Sequence, residues 1–415
     1  MKILLINSVC NQGSTGKIVF DLYEYYGKHG HDVAICYGRG PVRKEHNIYK
    51  FSSTWEMYVH AGLTRLTGMT GCFSPLATSN LIKFIDEFKP DVIHIHELHA
   101  YFVSIEPLVR HIQKKNIKTV WTFHCEFMYT GKCGYAYECT KWKKQCGGCP
   151  YLQDYPKSWF LDWTFKMQES KKKYMSDFKE LTITTPSTWL YQRVKESFLK
   201  DFPLKVIANG INCDIFKPHD YDALKKKHFF SENQKIILAI APDLMSKRKG
   251  GGVVLNLANR MKDKPYKFIM IGIDNLNISF PANVIPLGRT ADQKELAAYY
   301  SMADITLILS EIENFPTVAL ESLCCGTPVV GFDSGGTKET APASYGYFVS
   351  FGDVESLEYT INAIFDNSLY LENSIGCAAF GKQKYNKNLM AETYLKLYTE
   401  QKLSSSASIS CTNII

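Results

Sequence analysis

The sequence predicts an α/β protein made of two doubly wound, Rossmann-like domains that face a central cleft. Short Ile- and Val-rich runs alternate with amphipathic stretches along the chain, which is typical of parallel strands joined by crossover helices. The series of runs starts again near residue 205, and 415 residues are enough for two domains of ordinary size. Ligands bind at the carboxyl ends of the strands in such sheets, so we expect the functional residues in the loops there.

The first predicted domain covers residues 1–204. Strands are expected in the runs KILLIN, DVAICY, DVIHIH, KTVWTFH and LTITTP, and GKIVFDLYEYYGKHG has the spacing of a helix that ends at a glycine. The stretch 131–175 shows little periodicity and many aromatic and basic residues. We predict that this stretch is an irregular insertion that lies over the cleft.

The second predicted domain covers residues 205–387. Its strands are expected in the runs KVIANG, KIILAIA, KFIMIG, NVIPLG, ITLILS and TPVVGF. A helix over residues 388–403 is expected to rejoin the first domain. The small and polar residues 404–415 are expected to be frayed.

Composition limits the class of protein. Hydrophobic residues make up 45% of the chain, which is enough for full cores, while no apolar run approaches the roughly 20 residues of a membrane helix. The first residues have the pattern of a buried strand rather than of a signal peptide. We therefore expect a cytoplasmic protein, whose 13 cysteines are thiols or metal ligands because the cytosol keeps disulfides reduced.

The positive charge lies in the first half of the chain. Residues 1–200 carry a net charge of +9 and residues 201–415 a net charge of −2. Such a surplus attracts a phosphorylated substrate, an anionic lipid surface or nucleic acid. An ordinary solvated basic surface is the alternative.

The glycine-rich turn CNQGSTGKIVFDL after the first strand does not match a nucleotide-hydrolase loop. A Walker A loop needs four residues between its glycines and a Ser or Thr after the lysine. Here two residues separate Gly13 from Gly16, and Ile18 follows Lys17 in place of the Mg²⁺-binding hydroxyl. An ATP-driven enzyme is therefore disfavoured.

Two glutamates in the second half, Glu313 and Glu321, stand eight residues apart in SEIENFPTVALESLCCG. Pro316 suits the first turn of a helix that continues from Thr317 and closes at Gly326. The N-terminus of such a helix binds phosphate, and nearby carboxylates accept hydrogen bonds from sugar hydroxyls. This arrangement fits a nucleotide diphosphate sugar.

The run SMADITLILSEIENFPTVALESLCCGTPVV resembles the most recognisable stretch of the family 4 glycosyltransferases, retaining enzymes with the GT-B fold. The likeness covers almost the whole chain. NGINCDIFKP is similar to the family's segment after the interdomain linker, and APDLMSKRKGG is similar to its basic diphosphate clamp. PDVIHIHELHAYF and VWTFHCEFMYTGKCGYAYECTKWKKQCGGCP resemble a bacterial subgroup that builds O-antigen, colanic acid and capsule polysaccharides.

The resemblance implies a role for each matched residue of the second domain. Glu313 is expected to contact the donor hexose, Glu321 the ribose, and Arg248 with Lys249 the diphosphate. Backbone groups are expected to support sugar and phosphate along the run Asn314, Phe315, Pro316 and Thr317. Many relatives carry an arginine where this chain has Asp243, and Arg248 is a candidate substitute.

Two further matches lie in the first domain. Gly13 and Ser14 match the family's Gly-Gly turn, whose amides face the donor phosphate without Mg²⁺. His124, at the end of its strand, matches a family histidine near the reacting sugar. Relatives often have an aspartate after that histidine, whereas Cys125 follows it here.

Histidines and cysteines raise the question of a metal. Strand alternation places His94 and His96 on one face and leaves His99 in the loop, so a histidine metal trio is disfavoured. A group of four cysteines ends in a Cys-x2-Cys pair, the turn with which two thiolates hold one Zn²⁺. Structural zinc and reduced thiols both remain open for the set Cys133, Cys139, Cys146 and Cys149.

The resemblance implies a retaining, metal-independent transferase, peripheral at the inner face of the plasma membrane, that needs no cofactor for catalysis. It would move a hexose or N-acetylhexosamine from a nucleotide diphosphate sugar, with UDP favoured, to a lipid-linked oligosaccharide on undecaprenyl diphosphate. The expected partners are this donor, this acceptor and an anionic membrane surface, and not nucleic acid. The alternatives are a UDP-sugar 2-epimerase of the same architecture and a non-catalytic sugar-nucleotide-binding partner of a transferase.

Overall fold

The computed structural model describes residues 1–290 and 292–400. The predicted tail, residues 404–415, and the end of the predicted C-terminal helix, residues 401–403, lie outside these ranges. Two parallel sheets, one of seven and one of six strands, form the framework. The predicted α/β class with two doubly wound sheets is confirmed.

The first sheet contains seven parallel strands, β1 (Lys2–Val9), β2 (Asp32–Arg39), β3 (Ile48–Lys50), β4 (Val92–Ile95), β5 (Lys118–Thr122), β6 (Leu181–Thr185) and β7 (Leu204–Val206). Their order across the sheet is β3-β2-β1-β4-β5-β6-β7. The order reverses between β1 and β4, which is the switch point where doubly wound sheets bind ligands.

Six helices accompany this sheet: α1 (Gly13–Lys28), α2 (Thr54–Thr67), α3 (Pro75–Phe88), α4 (Ile105–Lys115), α5 (Thr164–Met175) and α6 (Thr188–Lys195). Residues on both faces of β1 are fully buried, as expected where helices cover a parallel sheet on both sides.

The second sheet contains six parallel strands, β8 (Lys235–Ile240), β9 (Tyr266–Ile271), β10 (Val284–Leu287), β11 (Ile305–Ile308), β12 (Val329–Asp333) and β13 (Gly346–Ser350). Their order, β10-β9-β8-β11-β12-β13, repeats the arrangement of the first six strands of the first sheet. The remaining helices are α7 (Asp222–Lys227), α8 (Gly251–Arg260), α9 (Gln293–Met302), α10 (Thr317–Cys324), α11 (Val354–Phe365), α12 (Ser374–Tyr385) and α13 (Lys387–Thr399).

Two predicted elements differ from the observed ones. The run KVIANG is predicted to open the second domain, but Leu204–Val206 pairs with β6 as the edge strand of the first sheet. A short and half-exposed run suits such an edge, where one row of backbone groups faces away from the sheet. The predicted irregular stretch 131–175 ends in a regular helix, α5, whose residues Met167 and Tyr174 are buried at helical spacing.

The chain passes between the two sheets twice, after β7 and before α13. The two passing segments hold each other, because the N–H of Ile211 donates to Tyr385 O at 2.8 Å and the N–H of Lys387 donates to Ile211 O at 2.9 Å. After the second passage, α13 packs against α1 of the first sheet, where Tyr26 Oη donates to Ala391 O at 3.2 Å. Among the described residues, no helix combines the length and the apolarity needed to cross a bilayer.

Candidate active site

The carboxyl end of β11 leads into the loop that carries Glu313. Only 8% of this residue is exposed. A bridge to Gly335 holds its backbone, and the N–H of Gly336 donates to Glu313 O at 2.9 Å. Gly335 has a φ of +65°, and a Cβ there would lie 2.0 Å from Glu313 O, so only glycine permits this approach.

Two cations hold the side chain of Glu313, and we call the three residues Arg248, Lys249 and Glu313 the basic clamp. Lys249 Nζ lies 2.5 Å and Arg248 Nη1 lies 3.1 Å from Glu313 Oε1. Burial alone would raise the pKa of Glu313, but the two cations outweigh it and hold this pKa below its ordinary value. Glu313 is therefore ionised at neutral pH.

Glu321 lies on α10 and is partly buried. Tyr300 Oη, on α9, donates to Glu321 Oε2 at 2.9 Å. Burial raises the pKa of Glu321 to about 7, although the charge of Lys17 and the hydrogen bond from Tyr300 oppose the rise. The protonation state of this carboxyl group therefore changes near neutral pH.

Two helix N-termini meet at one cavity between the sheets. Ser14 and Lys17 of α1 line this cavity together with Thr317 and Glu321 of α10. Neither helix has a side-chain hydrogen bond at its cap. Free N–H groups and the positive end of the helix dipole favour anions at such places. The structure thus brings the predicted glycine turn, which opens α1 at Gly13, to the predicted start of α10.

The loop before α10 contacts the first sheet's side of the cleft. Ser187 Oγ donates to Asn314 Oδ1 at 2.5 Å, while the buried Nδ2 of Asn314 has no partner among the described residues. Phe315 is buried, and Pro316 occupies the position immediately before α10. Asn314 therefore offers a donor that no other group in the described chain uses.

His124 follows β5 and lies against His96 of the loop after β4. The two rings are nearly parallel with centroids 5.3 Å apart, and His124 Nε2 lies 3.0 Å from His96 Nδ1. Burial lowers the pKa of His124, so its imidazole is neutral at pH 7. His94 has a different role, because Tyr398 Oη at 2.6 Å and Thr122 Oγ1 at 2.7 Å fix both of its ring nitrogens in the core.

A compact polar group lies beside these histidines. His99 Nδ1 lies 2.6 Å from Glu97 Oε2 and 3.9 Å from Cys125 Sγ. Burial would lower the pKa of His99, but Glu97 outweighs it and the pKa lies well above its ordinary value. Within the described ranges, Glu97, His99 and Cys125 are the residues whose potential metal-binding atoms all lie within 4.8 Å of one another. The histidine trio considered above is not such a group.

The irregular segment between β5 and α5 reaches the basic clamp. Arg248 Cζ lies 5.3 Å from the centre of the Tyr135 ring, which is close enough for a cation–π interaction. Sequence reasoning did not identify Tyr135, Lys17 or Tyr300 as site residues. Lys17 lies one turn after Ser14 on α1, so its spacing from a predicted site residue could have identified it. The positions of Tyr135 and Tyr300 depend on tertiary contacts.

The four cysteines proposed as zinc ligands line one cavity in this segment. None of the four forms a disulfide. Among these four residues, no three sulfur atoms all lie within 4.8 Å of one another. The zinc site stays a prediction.

Family models match both halves of the chain. The model described as Glycosyltransferase Family 4 matches residues 15–215, and the model described as Glycosyl transferases group 1 matches residues 220–386. The first match carries Lys17 and His124, and the second carries the basic clamp and Glu321.

Curated relatives and solved structures resemble the chain over much of its length. The putative colanic acid biosynthesis glycosyl transferase WcaC of Escherichia coli K12 is 25% identical over 423 residues, which cover 96% of this chain and 99% of that protein. The N,N'-diacetylbacillosaminyl-diphospho-undecaprenol alpha-1,3-N-acetylgalactosaminyltransferase of Campylobacter jejuni is 29% identical over 213 residues, 48% of this chain and 55% of that protein. Anabaena Alr3699/HepE, solved in complex with UDP, matches with a TM-score of 0.66 at 14% identity, covering 96% of this chain and 99% of that chain. The chain belongs to the family 4 glycosyltransferases and has the GT-B fold.

Proposed function

We propose that this glycosyltransferase is a retaining enzyme that moves a hexose or N-acetylhexosamine from a UDP-linked donor to a lipid-linked oligosaccharide in bacterial surface-polysaccharide synthesis. The observation that carries the proposal is that two cavities meet at the start of α10: Glu321 lines one with the uncapped N-termini of α1 and α10, and Lys249 and Glu313 of the basic clamp line the other with Pro316. Cations and N–H groups suit a diphosphate, and carboxylates suit the hydroxyls of the sugars at its two ends. The Escherichia coli relative, which is named for colanic acid biosynthesis, supports the polysaccharide assignment.

In this proposal the donor rearranges the basic clamp. The diphosphate becomes the new partner of Arg248 and Lys249, and Glu313 turns to the hydroxyls of the donor hexose. Glu321 accepts hydrogen bonds from the ribose, and the free N–H groups at Thr317 and Ser14 face the phosphates. UDP is favoured because HepE, which shares the fold, was solved with it.

The same residues stabilise the charge that develops during transfer. As the bond between the hexose and the diphosphate breaks, negative charge grows on the leaving phosphate, where Arg248 and Lys249 are already positioned. The leaving phosphate accepts the proton of the acceptor hydroxyl, which attacks from the same face, and configuration is retained. The neutral imidazole of His124 orients the reacting hydroxyl. The cations of the protein take the role that a divalent metal has in other transferases, so we propose metal-independent catalysis.

An exposed apolar surface supports a lipid-linked acceptor. Helix α2 presents large apolar side chains to solvent at helical spacing: Trp55, Tyr58, Val59, Leu63 and Leu66. Beside it, Phe160 is 73% exposed, and the N–H of Trp159 donates to Arg65 O of α2 at 2.7 Å. We call α2 and residues 159–161 the apolar face.

We propose that the apolar face lies on an anionic bilayer, as in a peripheral membrane protein. Tryptophan and tyrosine side chains suit the boundary between headgroups and acyl chains, and the exposed Lys157 and Lys166 lie on either side of residues 159–161 in the chain. The net charge of +9 on residues 1–200 adds to this attraction. The Campylobacter relative, whose name specifies an undecaprenol-linked substrate, supports such a location.

A transfer assay tests the proposed function. The purified enzyme is incubated with UDP-glucose, UDP-galactose, UDP-N-acetylglucosamine or UDP-N-acetylgalactosamine, with undecaprenyl diphosphate saccharides and with EDTA. We expect one of these UDP-sugars, in all of which the sugar is α-linked, to give a lipid product with an α linkage. NMR identifies the linkage. A β-linked product would overturn retention, and conversion of the UDP-sugar in the absence of acceptor would favour the 2-epimerase. Failure with EDTA and recovery with Mg²⁺ would contradict metal independence.

A further inference from the structure

The four cysteines between β5 and α5 surround one cavity, although they are spread over 17 residues of chain. A turn brings the last two together, because Gly147 and Gly148 both have positive φ, +140° and +54°. The N–H of Gly131 donates to Cys146 Sγ at 3.2 Å. Hydrogen bonds of this kind stabilise a thiolate, and they commonly surround sulfur ligands of metals.

Two buried lysines near the cysteines make no ion pair with a carboxylate of the described chain: Lys132 lines the cavity, and Lys171 lies on α5. Lys132 and Lys171 are each only 1% exposed. Lys132 Nζ donates to three backbone carbonyls, the nearest being Tyr151 O at 2.8 Å, and Lys171 Nζ donates to Thr130 O at 3.0 Å and to a second carbonyl. Neither makes an ion pair with any described carboxylate. Burying unpaired charge is costly, so a negative group nearby would stabilise the ammonium forms of both side chains.

A zinc ion bound by four thiolates would supply such a group. Zn²⁺ with four cysteine thiolates carries a net charge of about −2, which two ammonium groups balance. We propose that Cys133, Cys139, Cys146 and Cys149 bind one structural Zn²⁺, with Lys132 and Lys171 as its counter-charges. Tetrahedral bonds of about 2.3 Å place sulfurs roughly 3.8 Å apart, so zinc binding draws the four thiols closer together.

The structure supports the other candidate metal site less well. Glu97, His99 and Cys125 are closer together, but the carboxylate and the imidazole of this group already neutralise each other as an ion pair. No charge there is left to balance. The four-cysteine cavity, in contrast, is lined by Lys132 and Lys141 and by no carboxylate of the described residues.

The zinc site fastens a segment that contributes to the proposed active site. Tyr135 lies in the chain between Cys133 and Cys139, and its ring contacts Arg248 of the basic clamp. A Zn²⁺ that links these two cysteines to the other pair holds Tyr135 in place without contacting substrate. The zinc proposal itself stands on the cysteines and lysines, and it does not depend on the identity of the donor.

Metal content tests the proposal directly. The full chain is purified with a phosphine reductant, incubated with ZnSO₄ and passed through a desalting column, and its zinc is measured by mass spectrometry. We expect about one equivalent in the wild type and in Cys125→Ser, and below about a tenth of an equivalent in Cys139→Ser. Cys125→Ser is the matched control, because it removes a ligand from the competing group. Zinc lost in Cys125→Ser and kept in Cys139→Ser would overturn the proposal.

A second measurement on the wild type covers the case in which Cys139→Ser does not fold. Zinc-bound thiolates react slowly with a disulfide reagent, so we expect a strong chelator to make four further thiols reactive and to release the zinc in parallel. Cobalt in place of zinc should give the thiolate charge-transfer and tetrahedral d–d bands of a four-sulfur site. Thiols that react equally before and after chelation, or a zinc content below about a tenth of an equivalent, would overturn the proposal.

Discussion

Lys249 Nζ lies 2.5 Å from Glu313 Oε1, so the carboxylate assigned to the donor sugar is paired with the cation assigned to the diphosphate before any donor arrives. Arg248 makes a second contact with the same oxygen at 3.1 Å. The arriving diphosphate replaces one anionic partner of these cations by another. We infer that Arg248 and Lys249 are already positioned for a diphosphate, and that donor binding mainly moves the side chain of Glu313.

Glu313→Gln is expected to lower kcat/KM for transfer by about 10²- to 10³-fold, the usual cost of removing one preorganised polar contact at a reacting centre. The amide keeps the shape of the side chain, but it leaves Arg248 and Lys249 without their anion. Initial rates under limiting donor measure the effect, and circular dichroism verifies the fold. Glu311→Gln, two residues away, is the control and should stay within about twofold of the wild type. Equal rates for both variants would contradict the role of Glu313.

UDP affinity should rise with pH through neutrality. Burial raises the pKa of Glu321 to about 7, so this group is protonated below that pH and ionised above it. Only the ionised carboxylate accepts hydrogen bonds with both oxygens, so we expect tighter UDP binding as the pH increases from about 6 to about 8. Calorimetry over this range measures the dissociation constant. Glu321→Gln removes this contribution and leaves only the titration of the nucleotide's own phosphate.

Tyr300→Phe tests the cause of that pH dependence. The Tyr300 hydroxyl donates to Glu321 and thereby lowers its pKa, so its removal should move the midpoint of the binding profile to higher pH. A midpoint that moves to lower pH would contradict the assignment.

The stability of the free protein should depend on pH in the opposite direction to UDP binding. A carboxyl group with a raised pKa in the folded state stabilises the free protein below its unfolded pKa, and this contribution is lost as the pH rises through about 7.

His124→Ala is expected to lower kcat by about 10²-fold or more while the dissociation constant for UDP stays within about twofold. The imidazole lies on the first sheet's side of the cleft and is assigned to the reacting sugar rather than to the nucleotide. Single-turnover rates and calorimetry separate the two effects. His111→Ala removes a histidine from a surface contact with Asp86 and serves as the control. Loss of UDP affinity with unchanged kcat would show that His124 has a different role.

Binding to lipid vesicles should depend on the apolar face. The double variant Trp55→Ser, Phe160→Ser removes two exposed apolar side chains and should weaken binding to vesicles of phosphatidylglycerol and phosphatidylethanolamine by about tenfold or more. Tyr359→Ser, which alters an equally exposed aromatic residue on α11, should bind like the wild type. Flotation at low and high salt measures both the apolar and the charge contributions. Wild-type binding that is independent of salt concentration and of anionic lipid content would contradict the proposed surface.

The sequence predicted the fold well because its signals are local. Buried strands such as β1 and β8 are continuous apolar runs, and their spacing requires crossover helices. The predicted residues Glu313, Glu321 and Ser14 come to the cleft because each lies in a loop, or in the first two turns of a helix, that follows the carboxyl end of a strand. The edge strand β7 was assigned to the wrong sheet, because three half-exposed residues carry no information about their partner.

The missed contacts depend on tertiary packing. The link between Tyr135 and Arg248 joins residues more than 100 positions apart, and no periodicity encodes it. The raised pKa of Glu321 depends on burial by neighbouring elements, and the ion pair of Glu97 with His99 arises only where the loop after β4 folds back. Such features follow from the assembled cleft rather than from any single motif.

Calorimetric titration of the purified enzyme with UDP, GDP and ATP, with EDTA present throughout, tests the central claim most directly. We predict that UDP binds without a divalent metal and that Glu321→Ala weakens this binding, because the cleft supplies its own cations and ribose contact. Binding of GDP in place of UDP would change the donor class and leave the site in place. Binding of none of the three nucleotides, or of ATP only after Mg²⁺ is restored, would contradict a donor site formed by the basic clamp and Glu321.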